Sequence, residues 1–166
     1  MALHLVGIGY DIHSFAPVEA GRKLILGGVE IAHSQGLDGH SDADVLSHAI
    51  ADAVLGAIGE ADIGHHFPNT DPSIYGISSL EIVRRAVELV AEQGGRIINV
   101  DSSLIAEAPK IGPHLEAMRN NLAEALGIAP RRLGIKATTN ERLGAIGRHE
   151  GIAAMAVASV ELSDEA

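Results

Sequence analysis

The run Ile152-Ala153-Ala154-Met155-Ala156-Val157-Ala158-Ser159-Val160-Glu161-Leu162 decides how this chain folds. It is too short to cross a bilayer, which needs about 20 apolar residues as a helix. Bounded by Gly151 and by the acidic end of the sequence, it reads as a strand. A strand with one face in water alternates polar and apolar residues. This one is apolar at nearly every position, so both faces of its sheet are expected to be covered.

Working outward, three more runs read as strands of the same sheet: Leu5 to Ile12, Ile97 to Ala106 and Leu133 to Ala137. Lys23 to Leu26 and Val29 to Ile31 flank Gly27-Gly28 as a short hairpin. A polar loop, Asp38 to Asp44, leads into a helix running to about Ile58, with Val45, Leu46, Ala49, Ile50, Ala53, Val54 and Ala57 as its stripe. Asp42 or Asp44 would cap it. His48 and Asp52 fall one turn apart on its other face. A second helix opens at Ser78, with Glu81 completing a capping box, and stops before Gly94-Gly95. A turn, Glu107 to Gly112, precedes a third helix with Pro113 at its first position, a stripe of Leu115, Met118, Leu122 and Leu126, and an end at Gly127. Glu60 to Ser78 and Thr138 to Gly151 read as irregular; structureless stretches this long are usually functional. The sum is an α/β (α+β) single domain over residues 1–166, a four-stranded sheet with three helices on one face. The other face then needs a second copy of the chain, which predicts a homo-oligomer.

Composition narrows the function. With 166 residues the chain can bury roughly 70% of its unfolded surface. Aromatics are 2% and Trp is absent, so the core must be built from Val, Ile, Leu and Ala. The net charge of −10 argues against nucleic acid. It also means that an anionic substrate requires local reversal of the field by a metal, backbone N–H groups or a few basic residues. No Cys is present, which excludes disulfides and thiolate metal sites. No basic segment followed by an apolar run opens the sequence, so a soluble cytoplasmic protein with no membrane partner is expected.

Polar residues within these apolar patterns carry the chemistry. Asp11 and His13, two apart in a strand, point to one face. With His48 they offer one carboxylate and two imidazoles, the three-ligand set of a catalytic Zn²⁺ with its fourth position open. Nine His occur in the chain, so capped or surface histidines account for the same pattern equally well. Asp52 would reach the ring nitrogen of His48 not bound to metal, or else lie in solvent. His40 and Ser41 can donate hydrogen bonds at the helix start, where N–H groups attract anions; simple capping by Ser41 or Asp42 also fits. Thr138, Thr139, Asn140 and Glu141 leave a strand with hydroxyls beside a carboxylate, suited to a phosphate held through a hard cation or to an ST-turn with Glu141 in water. Ala106 to Gly112 fits either a backbone wrapped around a flat base or an ordinary turn. Gly147 to Gly151 offers Arg148 as a fixed cation.

In order, G-Y-D-I-H (Gly9–His13), G-H-S-D-A-D-V-L-S-H (Gly39–His48), A-D-I-G-H-H-F-P-N-T-D (Ala61–Asp71), A-E-A-P-K-I (Ala106–Ile111), K-A-T-T-N-E-R-L-G (Lys136–Gly144) and G-R-H-E-G-I-A (Gly147–Ala153) resemble the 2-C-methyl-D-erythritol 2,4-cyclodiphosphate synthase family of the non-mevalonate isoprenoid pathway. The match runs from about Ile8 to Ala158 and is specific because six motifs occur in order. The resemblance implies a phosphorus–oxygen lyase that converts 4-diphosphocytidyl-2-C-methyl-D-erythritol 2-phosphate to the cyclic diphosphate and CMP. It implies a ring-like homotrimer with sheets toward the threefold axis and active sites between subunits. It implies Zn²⁺ on Asp11, His13 and His48, one per subunit, and Mg²⁺ or Mn²⁺ on Glu141. His40 and Thr139 would be catalytic, steadying the transition state. Asp62 and Gly64 would contact ribose, with Ile63 between them also substrate-binding, and Ala106, Ala108, Pro109, Lys110, Ile111 and Gly112 would contact the cytosine. Ser41, Phe67, Pro68, Asn69, Thr70 and Asp71 would surround the methylerythritol phosphate. Thr138, Asn140 and Ala145 would complete the substrate wall, and Arg148 with Glu150 would lie near the central channel. Two positions depart from the family pattern: Asn69, where Asp is frequent, keeps an acceptor and loses a charge, and Ala145 stands where an aromatic is frequent. A zinc hydrolase with a general base such as Glu150 or Asp44, and a non-catalytic trimer that stores a phosphorylated isoprenoid or metal, are the competing readings.

Overall fold

The fold follows from which residues each strand turns toward the helices. In the computed structural model, which describes residues 2–163, the chain runs through β1 (Ala2–Ser14), β2 (Leu24–Leu26), β3 (Val29–Ile31), α1 (Val45–Ala57), the single turn α2 (Ile63–His66), α3 (Ser79–Glu92), β4 (Arg96–Ile105), α4 (Leu115–Leu126), β5 (Leu133–Thr138), the short α5 (Gly144–Gly147) and β6 (Gly151–Ser163). The main sheet has the order β1-β6-β4-β5. β6 is antiparallel to both neighbours, while β4 and β5 are parallel. β1, β4 and β5 therefore point the same way and finish at one end of the sheet. There His13 faces Ile152, and Ile105 faces both Ala153 and Thr138. The hairpin β2–β3 forms a separate small sheet.

Helices α1, α3 and α4 cover one face, as expected, with α1 lying along β1 and β6, and α4 against β5. The closeness of α1 has a specific cause. A Cβ placed on Gly7 would sit 2.0 Å from the carbonyl oxygen of Ala53, and one on Gly9 would sit 1.9 Å from that of Ala49. Glycine at both positions lets the helix backbone rest directly on the strand. Ala49, Ala53 and Ala57 supply the matching small face. Helix α1 is buried on almost every side, so His48 lies inside the protein rather than on a solvated face.

Several local expectations change. Asp44, not Asp42, caps α1, and its carboxylate is entirely buried. It accepts from Ser47 N (3.2 Å) and from Gly27 N and Gly28 N of the hairpin turn (2.9 and 2.7 Å). The hairpin is thus fastened to the helix start. The capping box at α3 is half made: Ser78 Oγ accepts from Leu80 N (3.4 Å), while the Glu81 carboxylate pairs with Arg84 instead of turning back. The two long stretches read as irregular contain the short helices α2 and α5 and a 3₁₀ turn, Pro72–Ile74.

The remaining face of the sheet is open within one chain, and exposure alternates along β6. Ala154, Ala156, Ala158 and Val160 are buried, and Met155 and Val157 are open. Val6, Ile8, Tyr10 and Ile12 of β1 stand open on the same face, which leaves a broad apolar stripe over two adjacent strands.

Candidate functional site

Asp11 and His13 end β1 on the face turned toward α1, and the first turn of α1 brings in His48. Asp11 Oδ2 lies 3.0 Å from His13 Nε2 and 3.0 Å from His48 Nδ1, and the two nitrogens are 3.3 Å apart. A tetrahedral ion bound at roughly 2.0–2.1 Å spaces its ligands about 3.3–3.4 Å apart. The three donor atoms already stand within a few tenths of an ångström of that triangle, so the group is able to hold a metal ion. Burial by itself would raise the Asp11 carboxyl, but hydrogen bonds from His13 and His48, together with their charge, hold it well below the usual carboxylate range. Burial likewise works against protonated His13, and Asp11, with the Asp38 carbonyl, overcomes it and raises the imidazole above its ordinary value.

Each imidazole is fixed by its second nitrogen. His13 Nδ1 meets the carbonyl of Asp38 at 2.5 Å. His48 Nε2 lies 2.8 Å from Ser79 Oγ and 3.1 Å from Ser41 Oγ. This corrects the expectation for Asp52, which does not orient His48. Its carboxylate accepts from Ile63 N at 2.8 Å and so pins the start of α2; burial, only partly offset by that hydrogen bond, raises its pKa.

A cavity of about 200 Å³ opens above the triad. Gly39, His40 and Ser41 form one side, and Ile63, Gly64, Phe67 and Asn69 the other. His40 is exposed there. Ser41 lines the cavity, but its hydroxyl is engaged by Ala43 N (3.1 Å) and His48. Asp62 caps α2 by accepting from His65 N (3.0 Å). Pro68, Thr70 and Asp71 are exposed and do not line the cavity, and Asp71 caps the 3₁₀ turn through Ser73 N (2.8 Å). Arg22, absent from the sequence reading, donates to the carbonyl of Ser41 (2.7 Å) and lies near enough to weaken proton binding at His13. It supplies positive charge where an acidic chain needs it.

The second group of candidate residues gathers at the other edge of the sheet, at the same end. Ala106, Pro109, Lys110, Ile111 and Gly112 share a cavity of about 360 Å³ with Thr138 and Thr139. Ala108 is half-buried beside it and joined to Pro109 by a cis peptide. The loop beyond β5 is shaped by Glu107, which sequence reasoning passed over as part of a turn. One oxygen of its carboxylate accepts from both Asn140 N and Arg142 N, each at 3.0 Å. Thr139 Oγ1 donates to Glu141 Oε1 (3.2 Å), leaving that exposed carboxylate its second oxygen. Asn140 donates its side-chain amide to Leu143 O (2.7 Å). Ala145 in α5 is exposed and lines neither cavity, and Arg148 pairs with Glu150 at 2.6 Å. The two cavities share no residue. β1 and β5 are three strand spacings apart, roughly 14 Å.

Comparison with known proteins finds relatives over nearly the whole chain. A family model for the YgbB family matches residues 4–161. The curated 2-C-methyl-D-erythritol 2,4-cyclodiphosphate synthase of Akkermansia muciniphila is 65% identical over 161 residues, 97% of this chain and 94% of that protein. Among solved structures, IspF of Plasmodium falciparum in a CDP complex aligns with a TM-score of 0.83 at 33% identity, covering 97% of each chain. The bifunctional IspDF of Campylobacter jejuni aligns with a TM-score of 0.92 at 39% identity over 99% of this chain; this chain spans 44% of that longer one. Among the described residues no helix is long and apolar enough to cross a membrane.

Proposed function

The chain belongs to the YgbB family, and from that membership we propose that it is a 2-C-methyl-D-erythritol 2,4-cyclodiphosphate synthase, one domain over residues 1–166, working in the cytoplasm. The observation that carries this is the Asp11–His13–His48 triangle, built to ligand spacing in a chain 65% identical to a curated enzyme of that name.

Zn²⁺ suits the triad, one carboxylate and two imidazoles with a cavity above them. Mg²⁺ or Mn²⁺ suits Glu141, because such ions take one or two protein carboxylates and fill the remaining positions with phosphate and water. When bound, the two cations draw electron density from the diphosphate and offset the charge of the leaving group. The chain's own residues handle position and charge. His40 at the mouth of the first cavity and Thr139 in the wall of the second, its hydroxyl turned from Glu141 to the substrate, donate hydrogen bonds to the phosphoryl oxygens as charge builds on them. Backbone groups of Ala106 to Gly112 hold the cytosine, Asp62 and Gly64 the ribose, and Phe67 and Asn69 the methylerythritol end. An oxygen of the 2-phosphate forms a bond to the β-phosphorus, and the bond from that phosphorus to the bridging oxygen breaks, its electron pair departing with CMP. The attacking phosphate is already ionised, so no general base is needed. Holding both ends of one molecule together contributes an effective concentration worth about 7 kcal/mol or more.

The placement of the two half-sites supports a ring-like homotrimer. Triad and base pocket sit at opposite edges of one sheet, so a head-to-tail contact between copies would join the triad edge of one to the pocket edge of the next. Contacts of that type close into rings. The open stripe of Val6, Ile8, Tyr10, Ile12, Met155 and Val157 would then be covered around the threefold axis.

The test is incubation with the cytidyl substrate, with and without a chelator. CMP and the cyclic diphosphate in equal amounts, lost on chelation, are expected. Open-chain hydrolysis products would point to a zinc hydrolase, and bound substrate with no CMP released to a storage protein.

A further inference from the structure

His48 is only 6% exposed. An imidazole that gives one nitrogen to a metal carries its proton on the other, and a buried N–H needs an acceptor. For His48 the acceptor comes from another helix. Ser79, fully buried in the first turn of α3, places Oγ 2.8 Å from Nε2. Nothing in the sequence spacing of thirty-one residues marks this pair.

The hydroxyl of Ser79 is itself directed. Its proton goes to Asp42 Oδ1, and the backbone N–H of Ser79 goes to Asp42 Oδ2 at 3.0 Å. One carboxylate thus grips Ser79 at two points and leaves the hydroxyl only lone pairs to offer His48. Ser41 Oγ is a weaker second acceptor at 3.1 Å, since it also receives Ala43 N–H. Asp42 is held in place in turn, its Oδ1 accepting from Asp44 N at 3.1 Å. His13 is oriented by a backbone carbonyl that no side-chain substitution removes. His48 depends on two replaceable side chains.

We propose that Ser79 and Asp42 are positioning residues for the metal. The chain of hydrogen bonds from the Asp42 carboxylate through the Ser79 hydroxyl to Nε2–H fixes the His48 ring and the tautomer that presents Nδ1 to Asp11 and His13. The inference rests on the metal reading given under the proposed function. It also gives the start of α3, where the Glu60–Ser78 segment ends, a direct hold on a metal ligand.

Zinc affinity of the metal-stripped full-length protein, measured by competition with a fluorescent chelator, tests this without recourse to turnover. The set is wild type, Ser79→Ala, Asp42→Asn and the double variant, each with a thermal melt of the metal-free form. Ser79→Ala is expected to weaken zinc roughly ten- to a hundredfold, the range for loss of such partners. Asp42→Asn should weaken it less, and the double variant should bind no worse than Ser79→Ala, because Asp42 acts through Ser79. Unchanged affinity in Ser79→Ala, or effects of the two substitutions that simply add, would overturn the relay. If Ser79→Ala does not fold, Asp42→Asn alone decides: weakened zinc supports the relay and wild-type affinity overturns it. Wild-type protein that takes up no zinc overturns the metal reading and the relay together; wild-type zinc with an indifferent Ser79→Ala overturns the relay alone.

Discussion

The two ends of the candidate site are built by different means. Around the triad, side chains do most of the work: both imidazoles are held from behind, His13 by the backbone carbonyl of Asp38 and His48 by the hydroxyls of Ser79 and Ser41, and two glycines bring helix and strand into contact. Around the second cavity, backbone does it. Ala106 to Gly112 and Thr138 to Arg142 form a wall whose shape depends on one carboxylate, Glu107, collecting two backbone N–H groups. The first region sets a buried His48 beside half-buried Asp11 and His13, and the second is shaped by the exposed loop Thr138 to Arg142. Under the proposed function, this suits a division in which one end would fix charge and the other would accept a flat base.

That contrast can be broken from either side. His48→Ala should abolish stoichiometric metal and lower turnover by about a thousandfold, since Lewis-acid assistance is worth several kcal/mol. Metal content and initial rates check it together, and a variant that keeps both refutes the ligand assignment. Thr139→Ala should lower kcat by up to about a hundredfold, the scale for one transition-state donor, with KM little altered; an unchanged kcat removes Thr139 from the chemistry. Gly9→Ala forces a methyl against the carbonyl of Ala49 and should lower stability by about 2–3 kcal/mol. Because it moves α1 off β1, it should weaken metal binding as well, and denaturant midpoints read beside zinc titrations separate the two effects. Glu107→Ala should be mildest. Two loop N–H groups lose their acceptor, costing about 1 kcal/mol of loop order, read as roughly a fivefold rise in KM at nearly constant kcat. Metal affinity should not move, which is what distinguishes this wall from the triad.

Much of this was legible in the sequence because its causes are local. The period-2 and period-3.6 patterns located the strands and the three long helices, and Gly94 and Gly127 mark helix ends where a left-handed residue is required. Asp11 and His13 announced themselves by sharing a strand face. What escaped depends on contacts between elements distant in sequence. Ser79 reaches His48 across thirty-one residues, Glu107 reaches Asn140 across thirty-three, and neither spacing has a helical or strand period. Asp52 shows the converse: one helical turn from His48 is the right spacing for a partner, but the start of α2 takes its carboxylate. Alanine fills the buried positions of β6 facing α1 and alternates with the apolar Met155 and Val157 on the face left open within the chain, so residue type alone does not tell the two faces apart.

Metal content of dialysed protein, read by atomic emission on wild type and on Asp11→Ala side by side, bears on the triad with no assumption about substrate. One zinc per chain in the wild type and almost none in the variant is the expected result. A wild type that retains no zinc, or a variant that retains it fully, would contradict a metal centre made by Asp11, His13 and His48.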